Sequence, residues 1–132
     1  MDRPSRSNPL SELVGEFPGR LRGDRWQPAV DVFETEKSVV VRVELSGVHS
    51  SQVKVSVDGE WLRIRGERTS AADTEIERLH QMEIAFGPFE RSVRIRIPFE
   101  RDQVVANLEE GFLSVVLPKS APRRRRIEPK TE

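Results

Sequence analysis

Cysteine and tyrosine are absent from this sequence of 132 residues, and histidine occurs only twice. Without cysteine there is no disulfide framework, no thiol nucleophile and no thiolate metal site. No apolar run approaches the length of a membrane span, and the first residues lack the apolar core of a secretory signal. These absences favour a cytoplasmic protein with no membrane partner, and the length of the chain favours a single domain with appendages.

Net charge is also lacking, because 22 Lys and Arg residues balance 22 Asp and Glu residues. The whole molecule therefore has no field that would attract nucleic acid or an anionic membrane. Charged residues still make up 33% of the chain, against about a quarter in a typical soluble domain. In a β protein this content suits solvated strand faces that resist edge-to-edge association.

Side chains that could support catalysis are scarce. The two histidines are His49, in a predicted turn, and His80, in a long connection. No Gly-rich phosphate loop precedes a helix, and no His or carboxylate spacing suggests a metal site. We therefore predict no enzyme activity, no catalytic residue, no metal and no cofactor.

A run of four cations, Arg123 to Arg126, is the one feature that suggests nucleic-acid binding, since adjacent cations neutralise phosphates. No aromatic residues are interleaved with it, so stacking on bases is not supported. We predict that the run keeps a tail in solution and that nucleic acid is not a partner. RNA binding through this tail stays as a third hypothesis.

Apolar residues alternate with polar ones from Val30 onward, which is the period of a β-strand with one buried face. Turn signals separate these stretches, and Asp58-Gly59 is a strong hairpin signal. The pattern predicts an all-β fold, an antiparallel immunoglobulin-like β-sandwich. The inward positions we expect are Val30, Val32, Val39, Val41, Val43, Leu45, Val53, Val55, Val57, Leu62, Ile64, Gly66, Val93, Ile95 and Ile97.

The stretch 105–117 contains two further strands joined by a tight turn. Gly111 tolerates the positive φ that such a turn requires. Pro118 ends the second strand because a proline cannot donate to a ladder. The apolar residues that share one face are Ala106 and Leu108 before the turn, and Leu113, Val115 and Leu117 after it.

A long connection lies between Gly66 and Phe89, and connections of this length inside a compact domain are usually functional or disordered. Its second half has the apolar content of a strand but no obvious place in the predicted sheets. We predict that this segment adds a strand to the sheet of another copy, which is β-augmentation. The alternative is a lid that folds onto its own chain. The apolar residues concerned are Leu79, Met82, Ile84 and Phe86.

Residues 1–27 and 120–132 differ in composition from the central domain, 28–119, and are predicted to be terminal arms. We expect the first arm to bind other chains through its apolar residues and to become ordered only on contact with a partner; the alternative is a disordered leader. The second is predicted to be a flexible tail with one apolar anchor, Ile127. The apolar residues of the first arm recur at helical offsets and are Leu10, Leu13, Val14, Phe17 and Leu21.

Taken together, these stretches resemble the small heat-shock protein (α-crystallin domain) family over about residues 26–119. Ala106, Gly111 and Leu113, followed by a proline, resemble the signature that ends its core domain. The other matches are 28–32 with the start of that domain, 45–48 with its leucine-proline-glycine turn (Ser46 replaces the proline), 53–66 with its central hairpin, and Gly87, Phe89 and Arg91 with the segment before its seventh strand.

The resemblance implies a sandwich of seven or eight strands, a homodimer that exchanges the strand near Leu79 to Ile84, and ATP-independent holding of unfolding proteins. Two stretches depart from the family pattern. The stretch from Phe89 to Pro98 is about two residues longer than usual, which predicts a bulge or a longer strand. The tail has one aliphatic anchor where many members have two, and one buried Ile contributes only about 1.5–3 kcal/mol, so the tail is a weaker basis for larger oligomers.

The leading hypothesis is an ATP-independent holdase that binds unfolding client proteins as a homodimer or a larger homo-oligomer. Arg91 is expected to pair with an acidic residue of the partner, because a guanidinium forks well to a carboxylate. The alternative is a monomeric co-chaperone-like or scaffold module that recruits one folded partner. The predicted dimer interface is Leu79, His80, Met82, Ile84, Phe86 and Arg91, and the predicted apolar groove is Val55, Val57 and Val105, for which core packing is the competing explanation.

Overall fold

The computed structural model describes residues 25–70, 75–121 and 127–131. Seven strands account for the regular structure of this part, with one 3₁₀ turn before the third strand and one before the sixth. The strands are β1 (Val30–Glu34), β2 (Ser38–Glu44), β3 (Val53–Asp58), β4 (Trp61–Arg68), β5 (Gly87–Arg94), β6 (Val105–Glu109) and β7 (Phe112–Pro118); the 3₁₀ turns are Ser50–Gln52 and Arg101–Gln103.

These strands form two antiparallel sheets. One sheet has four strands in the order β1-β2-β7-β6, and the other has three in the order β3-β4-β5. A single apolar cluster lies between the sheets and draws on both of them. The prediction of an all-β antiparallel sandwich is thereby confirmed. Among the described residues, no helix is long and apolar enough to cross a membrane.

Strict alternation explains why the strands bury the residues that the sequence indicated. In β2, Val41 and Val43 are fully buried while Arg42 between them is exposed. In β7, Leu113, Val115 and Leu117 face the same core. Because β2 pairs with β7 along its whole length, these two inner strands supply the centre of the four-stranded sheet.

Two glycines are required by geometry. Gly111 has φ +82° in the turn between β6 and β7, and its carbonyl oxygen accepts a hydrogen bond of 2.7 Å from the backbone N–H of Leu45. Gly66 lies on the inner face of β4, where an added Cβ would come within 2.1 Å of the Gln52 carbonyl oxygen. Any side chain at Gly66 would therefore push the 3₁₀ turn away from the sheet.

The strand predicted to run on to Ile97 ends earlier. β5 begins at Gly87 and pairs continuously with β4 from Arg68↔Gly87 to Trp61↔Arg94, without the predicted bulge. Because β4 begins at Trp61 and runs antiparallel to β5, Arg94 is the last residue of β5 with a partner, and the chain leaves the sheet there. The side chain of Ile95 then enters the core, with its backbone N–H bonded to the Glu60 carbonyl oxygen at 2.7 Å.

Candidate functional site

The strand predicted to exchange, near Leu79 to Ile84, lies within the segment 75–86, which is called the predicted exchange segment below; it forms no strand in the single chain. Ile84 is 64% exposed, and His80 is also exposed. Leu79, Met82 and Phe86 are half-buried. The fold thus leaves this apolar segment outside both sheets, and the prediction that it pairs with another copy stays a prediction.

The outer edge of β1 is open in the described part of the chain, since β1 pairs only with β2. Val32 stands directly opposite the fully buried Val41, so it faces inward. It is nevertheless 50% exposed, because no strand lies beyond it. The sandwich is therefore unfinished at this edge.

The predicted groove residues separate into two groups. Val55 and Val57 on β3 are half-buried and pack against the core, as do Val104 and Leu108 beside and within β6. Val105 does not join them: it stands opposite Val116 and is 61% exposed on the outer face of the four-stranded sheet. The assignment of Val105 to the same groove is therefore corrected, because strand alternation turns it to the other side.

Val105 instead ends an apolar row that crosses the outer face of the four-stranded sheet. The row follows the register from strand to strand and consists of Phe33, Val40, Val116 and Val105. The guanidinium of Arg42 lies 5.2 Å from the centroid of the Phe33 ring. Sequence reasoning missed this row, although the consecutive valines 39–41 and 115–116 indicated strands that are apolar on both faces.

Arg68, the last residue of β4, is the one charged side chain that is buried in the described part of the chain, at 8% exposure. Its Nε and Nη2 donate to the Ala85 carbonyl oxygen at 2.8 and 2.5 Å, and its Nη1 donates to the Ser46 carbonyl oxygen at 3.2 Å. The guanidinium carbon lies 4.3 Å from the centroid of the Trp26 ring and 5.4 Å from that of Phe86.

Arg68 and its four contacts, Trp26, Ser46, Ala85 and Phe86, are called the Arg68 cluster below. Burial lowers the pKa of Arg68, and the nearby Glu44 carboxylate partly opposes that shift. Sequence analysis did not single out Arg68. The available signal was a cation at the inward position that follows Leu62, Ile64 and Gly66 in the alternation of β4.

The other predicted contacts are located as follows. Arg91 is half-buried and its Nη1 donates to the Pro28 carbonyl oxygen at 3.1 Å, so within one chain it secures the approach to β1. Its predicted carboxylate in a partner remains a prediction. Ile127 is 78% exposed. The arm residues 10–21 and the run 123–126 lie outside the described residues.

The residues of the terminal signature occupy one hairpin. Ala106 stands opposite Val115, Gly111 forms the turn, and Leu113 is buried in the core. No group of three or more potential metal ligands occurs among the residues that the structure describes.

A β-sandwich with an open edge strand, an unpaired apolar segment and an apolar outer row defines a class of protein suited to contacts with other chains. The sequence profile of the Hsp20/alpha crystallin family matches residues 31–130. The chain belongs to this family, and the resemblance to small heat-shock chaperones is confirmed. The family and fold are those of chaperones rather than enzymes.

Individual relatives agree with this assignment. Heat shock protein 16 of Schizosaccharomyces pombe is 36% identical over 109 residues, covering 81% of this chain and 73% of the relative. The solved structure of heat shock protein 16.0 from the same organism has a TM-score of 0.68 and 33% identity, covering 80% of this chain and 100% of that one. A small heat-shock protein from Xylella fastidiosa has a TM-score of 0.69 and 29% identity, covering 81% and 99%.

Proposed function

We propose that this protein is an ATP-independent holdase that binds partly unfolded proteins and prevents their aggregation. The observation that carries the proposal is the amount of apolar surface left exposed on a highly charged molecule, above all Ile84 and Val105. Exposed apolar patches bordered by charge usually mark interaction sites. No phosphate-binding loop is needed for such adhesion, because the contacts are hydrophobic and reversible.

We further propose that two copies associate by exchange of the segment near Leu79 to Ile84. Two features support this: among the residues that the structure describes, the segment has no strand partner and β1 has a free edge. A strand added there would satisfy the backbone groups of β1 and cover Val32. Leu79, Met82 and Ile84 would supply apolar side chains, and Arg91 and His80 would lie in the same interface.

Clients and the tail share one proposed contact. The half-buried Val55 and Val57 line the proposed apolar groove, and its proposed occupants are clients or Ile127 of a neighbouring copy. The arm adds client contacts through its apolar residues, while 28–119 is the proposed domain; Trp26, inside the range 1–27 assigned to the arm, is buried in the core of that domain. The solved Xylella fastidiosa relative is described as having a distinct high order structure. That description supports assembly beyond the dimer for this chain.

Two measurements test the dimer. Full-length protein should elute as a dimer or larger species in size-exclusion chromatography with light scattering, and Ile84→Asp should reduce it to monomer because an exchanged strand would bury the new charge. Val105→Asp is the matched control, since Val105 is almost equally exposed but lies on β6. A dimer that survives Ile84→Asp but not Val105→Asp would place the interface at β6 and would contradict the proposed exchange.

Chaperone activity is tested by heating a heat-labile enzyme with this protein and following light scattering without nucleotide. Suppression of scattering that ATP does not change is the expected result. No suppression at equimolar or higher ratios would refute the holdase.

A monomeric scaffold module is the second candidate. It is favoured by one observation: a single chain already buries eight aliphatic side chains fully, namely Val39, Val41, Val43, Leu45, Leu62, Ile64, Val115 and Leu117. A monomeric mass at all concentrations, together with absent suppression, would support it.

A further inference from the structure

The Arg68 cluster joins two parts of the chain that lie outside the seven strands. Trp26 lies where the chain approaches the sandwich, just after residues 1–24. Ala85 and Phe86 are the last residues of the predicted exchange segment, immediately before β5. Arg68 contacts both, through the Trp26 ring on one side and the Ala85 carbonyl and Phe86 ring on the other.

Trp26 is itself fixed to β5. Its backbone N–H donates to the Pro88 carbonyl oxygen at 3.1 Å, and its indole Nε1 donates to the Gly87 carbonyl oxygen at 3.0 Å. Its ring meets that of Phe89 edge to face, with centroids 5.4 Å apart. Trp26 therefore provides a fixed surface on which the Arg68 guanidinium rests.

Only a guanidinium fits this position. Two of its N–H groups reach a single carbonyl oxygen, that of Ala85, while its planar faces lie against aromatic rings. A lysine would keep the charge but has neither the fork nor the flat face. The charge is met by carbonyl dipoles, by the rings and by the nearby Glu44 carboxylate, and no direct ion pair to Arg68 is found in the described part of the chain. Its position therefore depends on Trp26, Ala85 and Phe86 being in place together.

Ile84 adjoins Ala85, so the direction in which the exchange segment leaves the domain depends on where the Ala85 carbonyl is held. We propose that Arg68 is a positioning residue for dimerisation: it fixes the outgoing direction of the exchange segment and couples that direction to Trp26 at the root of the N-terminal arm. The inference rests on the strand-exchange dimer proposed above. It adds that a partner which displaces Trp26 releases the segment and weakens the dimer.

The test uses full-length protein with Trp61→Phe, which leaves Trp26 as the single indole, because the chain has two tryptophans. Arg68→Lys should raise the dimer dissociation constant about tenfold, since charge-assisted hydrogen bonds that hold the segment are lost. It should also change the emission of Trp26 and speed hydrogen exchange at 75–87, while exchange in β2 and β7 stays unchanged. Arg65→Lys is the control, because Arg65 is exposed on the same strand.

A double-mutant cycle separates positioning from general stabilisation. If Arg68 acts through the segment, Arg68→Lys should weaken the dimer much less in an Ile84→Ala background than in the parent. Additive effects, or an unchanged dissociation constant with Arg68→Lys while Ile84→Ala weakens the dimer, would overturn the inference and leave the exchanged dimer standing. If neither variant changes the constant, the exchanged dimer fails and the inference fails with it.

Discussion

The outer faces of the two sheets differ in chemistry. That of the three-stranded sheet carries paired charges: Glu90 accepts from Arg25 and Arg63, and Arg94 donates to Glu60 at 2.9 Å. That of the four-stranded sheet is crossed by the row Phe33, Val40, Val116 and Val105. The first face is mostly charged or polar, apart from Trp61, and so is largely hydrated, which suits a surface that stays in water. The second leaves apolar area that a partner can cover.

The largest effect is expected from a charge at the centre of the apolar row. Val40 is only 9% exposed, between Phe33 and Val116. Val40→Asp should lower the free energy of unfolding by about 3 kcal/mol, because a carboxylate would lose its hydration there. Urea unfolding followed by circular dichroism measures it. Ser92→Asp, on the charged face, should stay within about 0.5 kcal/mol of the parent. Equal losses would erase the contrast between the faces.

The next largest effect concerns client protection rather than stability. Val105→Lys should lower suppression of light scattering by about half without changing thermal unfolding, because an exposed apolar contact is replaced by a hydrated charge. Ser56→Lys adds the same charge to the exposed face of β3 and should leave suppression intact. If both variants lose suppression equally, added charge and not lost apolar surface is responsible.

A smaller effect is expected from the ion pairs of the charged face. Glu90→Gln removes the shared carboxylate of Arg25 and Arg63, and should lower the melting temperature by a few degrees at low salt. The difference should shrink as salt rises, since exposed charges are screened. Glu67→Gln is the control, because Glu67 lies on the same strand as Arg63 and has no ion pair among the described residues. A salt-independent loss with Glu90→Gln would indicate packing instead of charge.

The smallest expected effect is on the acid side of the stability profile. The hydrogen bond from Arg63 is the main cause that lowers the pKa of Glu90 below its ordinary value of 4.5, and hydrogen bonds from Ser46 lower that of Glu44. A carboxyl with a lowered folded-state pKa stabilises the fold fully above its unfolded-state pKa. That contribution is lost as the pH falls through the folded-state value. Melting temperature should thus decline below about pH 4.5, and Glu90→Gln should flatten the decline. A profile that both proteins share would count against Glu90.

The strands and hairpins could be predicted because their information is local. A buried face every second residue defines β2, β3, β4 and β7, and a two-residue turn with Gly111 joins β6 to β7. Alternation alone predicted β5 to be too long. Ile95 and Ile97 continue its alternation and face the core, but β4 offers no partner past the pair Trp61↔Arg94.

The surfaces were less predictable because they depend on pairing between distant strands. Val105 joins Val116, Val40 and Phe33 only through a register that spans the whole four-stranded sheet. Arg68 contradicts the simple pattern, since a cation occupies an inward position and finds its partners in backbone carbonyls and rings far along the chain. Neither arrangement has a short motif in the sequence.

The pairing of β2 with β7 also sets the order in which the molecule can form. Val39 pairs with Leu117, so one edge of β2 stays unpaired until β7, the last of the seven strands, has left the ribosome. Non-local pairing of this kind slows folding, because a long loop must close before the contact forms. During synthesis the valine-rich β2 is therefore an unpaired apolar strand that favours aggregation. A protein proposed to prevent the aggregation of other proteins would itself be prone to aggregate until β7 is made.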